Sequence, residues 1–432
     1  MSRTRKRLLI AGLSLLGLTV AALIVGILVV QTDWFRAYIN QKIVTATEDA
    51  TGGKVELGSF NFDWKHLRVI VTHFVIHGAE PNDTAPLLLV PRVEVDLRPF
   101  TSIHHLLDVT YLGIDRPEAN VIILADGRNN LPHPKRSAST GEPPLQSIVN
   151  AAIGHFDLNN ATIAVADAKQ TLSLHANNFR AQLWFNVLQQ GYRGELSFQP
   201  VYATAGSNTP VAVNVTLPVS IERNSVSLDG ATVATASSNL RISGTVDNLV
   251  NPKFTARVLG QIALGDLRDL GNLPLTLGTR GMPSAIDLDA NASVSSKSIQ
   301  VARLQLKLGA SSVEASGTLK DPQAESSLRF DTQIALGEIG RLLDIDQNPF
   351  GTVAFKGTAK LDAANNYDVN GDLTAQKVSF EEGKRRIPNL DVTSVVHLDP
   401  RAISLNKLRV NALGGTLEGD ASLQDFARYR WR

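Results

Sequence analysis

The chain has 432 residues, 42 Lys plus Arg against 41 Asp plus Glu, and no cysteine. Balanced charge with no basic stripe after Arg7 removes the electrostatic footprint of a nucleic-acid binder. Absent cysteine removes disulfides, thiolate metal sites, CxxC redox motifs and cysteine nucleophiles together.

From Leu8 to Val30 the sequence is uncharged, with only Ser14 and Thr19 as polar side chains. At 1.5 Å per residue it is long enough to cross a hydrocarbon core of about 30 Å. Arg3, Arg5, Lys6 and Arg7 precede it, so the positive-inside rule places the N-terminus in the cytoplasm and the bulk of the chain on the far side. A cleaved signal peptide would have a shorter apolar core and a small-x-small site, whereas Val29-Val30-Gln31-Thr32-Asp33 follows here. A retained anchor is expected over residues 1–31, with Trp34, Phe35 and Tyr38 at the outer interface.

Phe35, Ile39, Lys42, Ile43, Ala46 and Ala50 then recur at helical spacing, and Gly52-Gly53 sits where a C-terminal cap belongs. This predicts one helix continuing out of the membrane to Thr51, a stalk over 32–52. From Lys54 the period becomes two, through Val55, Leu57, Phe60, Phe62, Trp64, Leu67, Val69, Val71, Val93, Val95 and Leu97. These are half-buried strands of a β domain over 53–132, with a loop at Pro81 to Pro86 and a helical turn at Ser102 to Leu107. A linker follows over 133–146, where HPKRSASTGEPP has no large apolar residue. Its Lys135-Arg136 pair reads as solvated. Gln146 to Ala152 is a candidate short helix.

Residues 147–432 read as a repetitive β region. QIALGDLRDL starts at Gln261 and QIALGEIGRL at Gln333, a shift of about 72 residues. Val226, Leu228, Leu240, Ile242, Gly244 and Val246 precede the first copy. Ile299, Val301, Leu304, Leu306, Val313, Gly317 and Leu319 precede the second. Ile403, Leu405, Leu408, Val410, Leu417, Gly419 and Leu423 begin a third pass. Each unit reads as several strands capped by a short helix, at Leu264 to Leu270 or Leu336 to Leu343. The predicted fold is mostly β: one N-terminal transmembrane helix, then an elongated sheet growing by stacked units. The sequence stops at FARYRWR soon after the third pass begins, which suggests a piece of a longer protein.

No catalytic or metal constellation emerges. Among nine histidines there is no HExxH, His104-His105 are adjacent, and His66, His73 and His77 fall in a predicted sheet. There is no GxSxG elbow and no phosphate-binding GxxxxGK[ST] loop. Asp126 to Asn130 lacks the acidic positions of a calcium loop and reads as a turn. Asp115-Arg116 and Glu118 read as strand-edge charges that block edge pairing. No cofactor, metal or covalent chemistry is expected.

The anchor, the Thr51-Gly52-Gly53 junction into a strand, the segment YLGIDRPEANVIILADGRNNLP and the β repeats together resemble the AsmA-like superfamily, TamB type. Within that segment Leu112, Pro117, Val121, Gly127, Asn130 and Leu131 match the family's pattern, and HFDLNNATIAVAD from His155 looks like the strand that follows. The family's C-terminal domain is not in this sequence. The resemblance implies a U-shaped β-groove, anchored in the bacterial inner membrane with its bulk in the periplasm, that conducts phospholipid acyl chains toward the outer membrane. Groove-lining candidates are Phe60, Phe62, Trp64, Val93, Val95, Leu97, Leu304, Leu306, Leu308 and Leu336. Alternatives are a scaffold for outer-membrane protein assembly or secretion with a TamA-like partner, and a periplasmic β-sandwich enzyme or ligand-binding protein. Alternation by itself does not distinguish an open groove from a closed sandwich.

Overall fold

The computed structural model describes residues 32–80, 84–99, 107–124, 126–132, 146–167, 172–205, 209–271, 273–278, 281–296, 298–320, 326–362, 366–382 and 385–424. The anchor Leu8–Val30 with its basic flank, the turn expected from Ser102, the His104-His105 pair, Lys135-Arg136 and the final FARYRWR lie outside the described residues. Among the described residues no helix is long and apolar enough to cross a membrane. The protein is mostly β, with twenty-one strands and four helices among the described residues. It divides into two compact units, residues 1–140 with 150–190 and residues 141–149 with 191–432.

In the first unit, helix α1 (Asp33–Thr51) ends at Gly52, whose φ of 78° satisfies the left-handed cap. Glu48 ties it to the sheet: its carbonyl accepts the Gly52 N–H at 2.8 Å and its carboxylate accepts the Val55 N–H at 3.0 Å. The expected continuation from a membrane helix falls on residues outside those described. Thr32 is extended, with ψ 145°, and its Oγ1 accepts the Phe35 N–H at 3.3 Å, so α1 starts at its own N-cap.

Strands β1 (Lys54–Asp63), β2 (Arg68–His77), β3 (Leu88–Pro99) and β4 (Leu107–Asp115) pair antiparallel in sequence. β5 (Glu118–Ile123) and β4 then both pair in parallel with β6 (His155–Asp167). β4 and β5 are thus one line of backbone between β3 and β6, broken at Arg116-Pro117. Arg116 has φ 49°, its N–H donates to the Asn159 carbonyl, and the Pro117 carbonyl accepts the Thr162 N–H, each at 2.8 Å. Asp115 and Glu118 therefore sit inside the sheet and not at an edge; Arg116 pairs with Asp115 at 3.2 Å. The sheet of this unit ends with β7 (Leu172–Asn186), antiparallel to β6.

Asn130, buried, pins the returning chain. Its Oδ1 accepts the Ile122 N–H at 2.9 Å, its Nδ2 donates to the Asn120 carbonyl at 2.7 Å, and its own carbonyl accepts the Ala79 N–H at 2.9 Å. Gly127, with φ 85°, closes the turn that delivers it.

The second unit is an antiparallel meander. Its strands are β8 (Gly191–Ala205), β9 (Val211–Ile221), β10 (Ser225–Ala234), β11 (Asn239–Asp247), β12 (Lys253–Ala263), β13 (Ala285–Ser295), β14 (Ser298–Leu308) and β15 (Ser311–Lys320). They continue through β16 (Ser326–Ala335), β17 (Phe350–Leu361), β18 (Tyr367–Glu382), β19 (Arg385–Leu398), β20 (Ala402–Ala412) and β21 (Gly415–Gln424). A six-residue helix, α2 (Gln146–Ala151), precedes β6, and α3 (Leu264–Gly271) and α4 (Leu336–Leu342) follow β12 and β16 with no intervening residue. The three sequence passes are the hairpins β10–β11, β14–β15 and β20–β21. Their spacing is unequal: β12 and β13 separate the first two, but β16 to β19 separate the second and third. Inserting two strands restores the direction of travel in a meander, so the pattern re-enters in the same orientation.

Both QIALG copies close the same latch. Buried Ser238 accepts the Ala263 N–H at 2.9 Å and donates to Asp266 in α3; buried Ser311 accepts the Ala335 N–H at 3.0 Å and donates to Glu338 in α4 at 3.5 Å. Each carboxylate also satisfies the turn before its serine, from Thr235 Oγ1 at 2.5 Å and from the Ala310 N–H at 3.0 Å. Ser311→Ala leaves the part-buried Ala335 N–H without its partner and is expected to cost about 1 kcal/mol, read as a lower urea midpoint at unchanged slope.

Candidate functional site

Cross-strand register decides which side chains share a face, because directly paired residues point the same way. In the second unit one row runs from Ala231 in β10 through Ile242, Val258, Ala290, Leu304, Ala315 and Phe330, and on through Gly357, Gly371, Val396 and Leu405 to Ala421 in β21. A parallel row carries Leu240, Gly260, Leu288, Leu306, Val313, Thr332, Phe355 and Leu373. No charge interrupts either row. Thr332, the polar member, donates its hydroxyl to the Phe355 carbonyl at 3.0 Å.

Bulges keep this face apolar where strict alternation would turn it over. β14 steps from Val301 to Leu304 and β20 from Leu405 to Leu408, each with a register shift against its partner. In β18 and β20 the extra residue is left-handed Lys377 or Lys407. Its N–H donates to Asp391 or Asp420 on the next strand, at 2.7 and 2.8 Å. A bulge sets two residues against one, so apolar residues on both sides of it reach the same face.

The face is only partly covered. Leu304, Leu306, Leu308, Phe330, Phe355 and Leu373 are half-buried, and Phe254, Ile299 and Leu417 are 43%, 40% and 66% exposed. From β13 to β21 the buried apolar strand residues, among those described, are Ala375 and Val396. The inner faces of a two-sheet sandwich interdigitate and bury side chains of this size. Aromatic rings fill gaps left by glycine: Phe330 pairs with Gly357 and lies 5.1 Å from Phe355, which abuts Gly371. The opposite face is polar, with Lys356 on Asp331 at 2.9 Å and Gln305 on Glu314 at 2.8 Å. Such exposed pairs contribute about 0–1 kcal/mol each.

In the first unit the expected residues fall into two rows, Phe62–Val69–Val95–Leu112–Phe156–Leu183 and Phe60–Val71–Val93–Ile114–Leu158–Ala181. Trp64 lies beyond β1 in the turn, edge-on to Phe62 at 4.6 Å, and Leu97 pairs with Val109 past an irregularity. Leu336 opens α4 and is not in a strand. All ten groove candidates are half-buried. Of the motif residues, Pro117 and Asn130 are buried pins, while Leu131 is 45% exposed.

The other face of the first unit holds an ion-pair network that sequence reasoning did not assemble, since its members come from separate strands. Arg68 forks onto Asp96 at 2.6 and 2.9 Å and reaches Glu94 at 2.5 Å. Tyr111 lies across Gly113; burial and then the Asp157 carboxylate push its phenol above the usual range. His155 stacks on Trp184 at 4.9 Å with Nε2 2.9 Å from Asp157. Each carboxylate already faces a cation, phenol or imidazole. His66 faces Asp63 at 2.7 Å, holding that carboxyl below its ordinary range, and His77 faces Glu80 at 3.1 Å. Among the described residues no three His, Asp or Glu side chains converge as metal ligands. Compared with protein-family models and with curated proteins, the chain matches none.

Proposed function

We propose that this is an inner-membrane-anchored envelope protein whose apolar sheet faces carry phospholipid acyl chains across the periplasm, without covalent chemistry. The observation that carries this reading is the half-exposed apolar face of the second unit, charge-free in row after row from β10 to β21. Each methylene moved from water onto such a face gains about 0.8 kcal/mol, and a continuous row lets a chain slide without a large barrier. The resemblance to the AsmA-like superfamily supports the anchor, the compartment and the direction toward the outer membrane. A polar pocket for a soluble substrate would instead need convergent unpaired groups. Photocrosslinkers placed at Leu304, Leu306, Phe330 and Leu373, and at the outward positions Gln305, Lys307 and Glu314, test it in native membranes. Phospholipid adducts at the first set and none at the second are expected. Protein adducts at the apolar set would favour the assembly scaffold, and no adducts would sink the lipid path.

A further inference from the structure

Thr32 is the N-cap of α1, so the helix begins at Asp33. Its exposed positions recur every three or four residues, at Trp34, Ala37, Tyr38, Gln41, Lys42 and Thr45. That spacing puts them on one side of the helix over about three turns. Trp34 is 70% and Tyr38 46% exposed; their rings stack at 5.8 Å and 15°, and the Lys42 ammonium lies 5.7 Å from the Tyr38 centroid. Glu48 and Asp49 continue this side one turn further on, half-buried, with the Glu48 carboxylate accepting the Val55 N–H at 3.0 Å, while Phe35, Ile39 and Ile43 on the other side are half-buried. Trp and Tyr with a nearby cation settle at the headgroup level of a bilayer, where one end of each side chain stays wet. The uncharged stretch Leu8–Val30 ends only two residues before Thr32, which keeps α1 within reach of a membrane entered by that stretch.

The geometry points to α1 lying flat along an anionic phospholipid surface, with the stripe Trp34–Tyr38–Lys42 in the headgroup region and Lys42 against lipid phosphates. The inference rests on the anchor reading above, and it replaces an upright stalk with an interfacial foot. A foot of this kind fixes the first unit beside the leaflet that supplies lipid.

Because the chain has no cysteine, single cysteines carry a spin label without background. Ala37→Cys, Gln41→Cys and Thr45→Cys change small exposed stripe residues and leave the aromatics intact. The labelled full chain is reconstituted in phosphatidylethanolamine–phosphatidylglycerol vesicles, and label depth is read by power saturation with oxygen and a water-soluble nickel chelate. A flat helix gives the same shallow depth at all three positions, and Trp34→Ala with Tyr38→Ala moves all three labels toward water. An upright stalk gives depths that step outward by about 6 Å per position, and that result overturns the proposal. Chain that fails to float with the vesicles overturns the anchor reading as well. Chain that floats with all three labels fully in water overturns the foot alone.

Discussion

Leu306→Glu is expected to lower phospholipid transfer at least tenfold while the second unit stays folded. Leu306 stands between Leu288 and Val313 on the apolar face, and its half-exposed side chain contributes only part of a buried leucine's transfer energy. Losing it costs about 1–2 kcal/mol of a stability of about 5–15 kcal/mol. A carboxylate there stays hydrated until an acyl chain arrives, and must then lose water without a partner. Desolvating it adds several kcal/mol to the passage, and each 1.4 kcal/mol is about a factor of ten in rate. Leu306→Ala keeps the path apolar and should reduce transfer only slightly. Gln305→Glu, one residue along on the polar face, places a like charge opposite Glu314 and costs a little stability, but should leave transfer unchanged. The comparison is a transfer assay between donor and acceptor vesicles, with circular dichroism confirming the fold. Equal transfer by Leu306→Glu and Gln305→Glu would remove this face from the path.

Strand content, both capping helices and the end of α1 were legible because each has a local signature: period two, the QIALG string, and Gly52 after a helical run. The bulges were half legible. The steps from Val301 to Leu304 and from Leu405 to Leu408 break period two by one residue, a mark of an inserted residue in a strand that must keep its apolar face. What fills the gap was not visible, because Asp391 and Asp420 come from the neighbouring strand. The parallel pairing of β6 with β4 and β5 was also hidden, since alternation is the same for both strand directions. That pairing moved Asp115 and Glu118 from a supposed edge to the interior.

The apolar face was legible in composition but not in exposure. Leu304 and Leu306 alternate with polar neighbours whether a second layer covers them or not. The capping role of Thr32 was hidden for a different reason. It sits between an uncharged run and a helical run, and periodicity carries across a single residue. Only its extended ψ and the Phe35 N–H at its hydroxyl mark it as the N-cap of α1. The serine latches escaped because their two halves are far apart in sequence, although the carboxylate at the same offset in both QIALG copies was the half in plain sight.

Gly317→Ala is expected to destabilise the second unit by about 3–5 kcal/mol, among the largest effects of any single methyl in this chain. Gly317 has φ 151°, and a Cβ there would stand 2.2 Å from the Ser327 carbonyl oxygen and 2.8 Å from Leu328 Cα. Both obstacles are backbone of the paired strand β16, so rotamer changes cannot relieve them, and β15 must separate from β16 or change its own conformation. Gly244 occupies the matching place in the first hairpin, opposite Leu228 as Gly317 is opposite Val301, and its Cβ would meet the Thr255 carbonyl oxygen at 2.2 Å. Gly244→Ala meets the same kind of backbone clash without the positive φ, so it should be destabilising but by less than Gly317→Ala. Gly419 in β21 has nothing within 4 Å of an added Cβ, so Gly419→Ala is the control and should stay within about 0.5 kcal/mol. Urea unfolding gives the magnitudes, and hydrogen exchange should show β15 and β16 losing protection first in Gly317→Ala. If Gly317→Ala and Gly419→Ala cost the same, close strand approach is not what holds these hairpins in register.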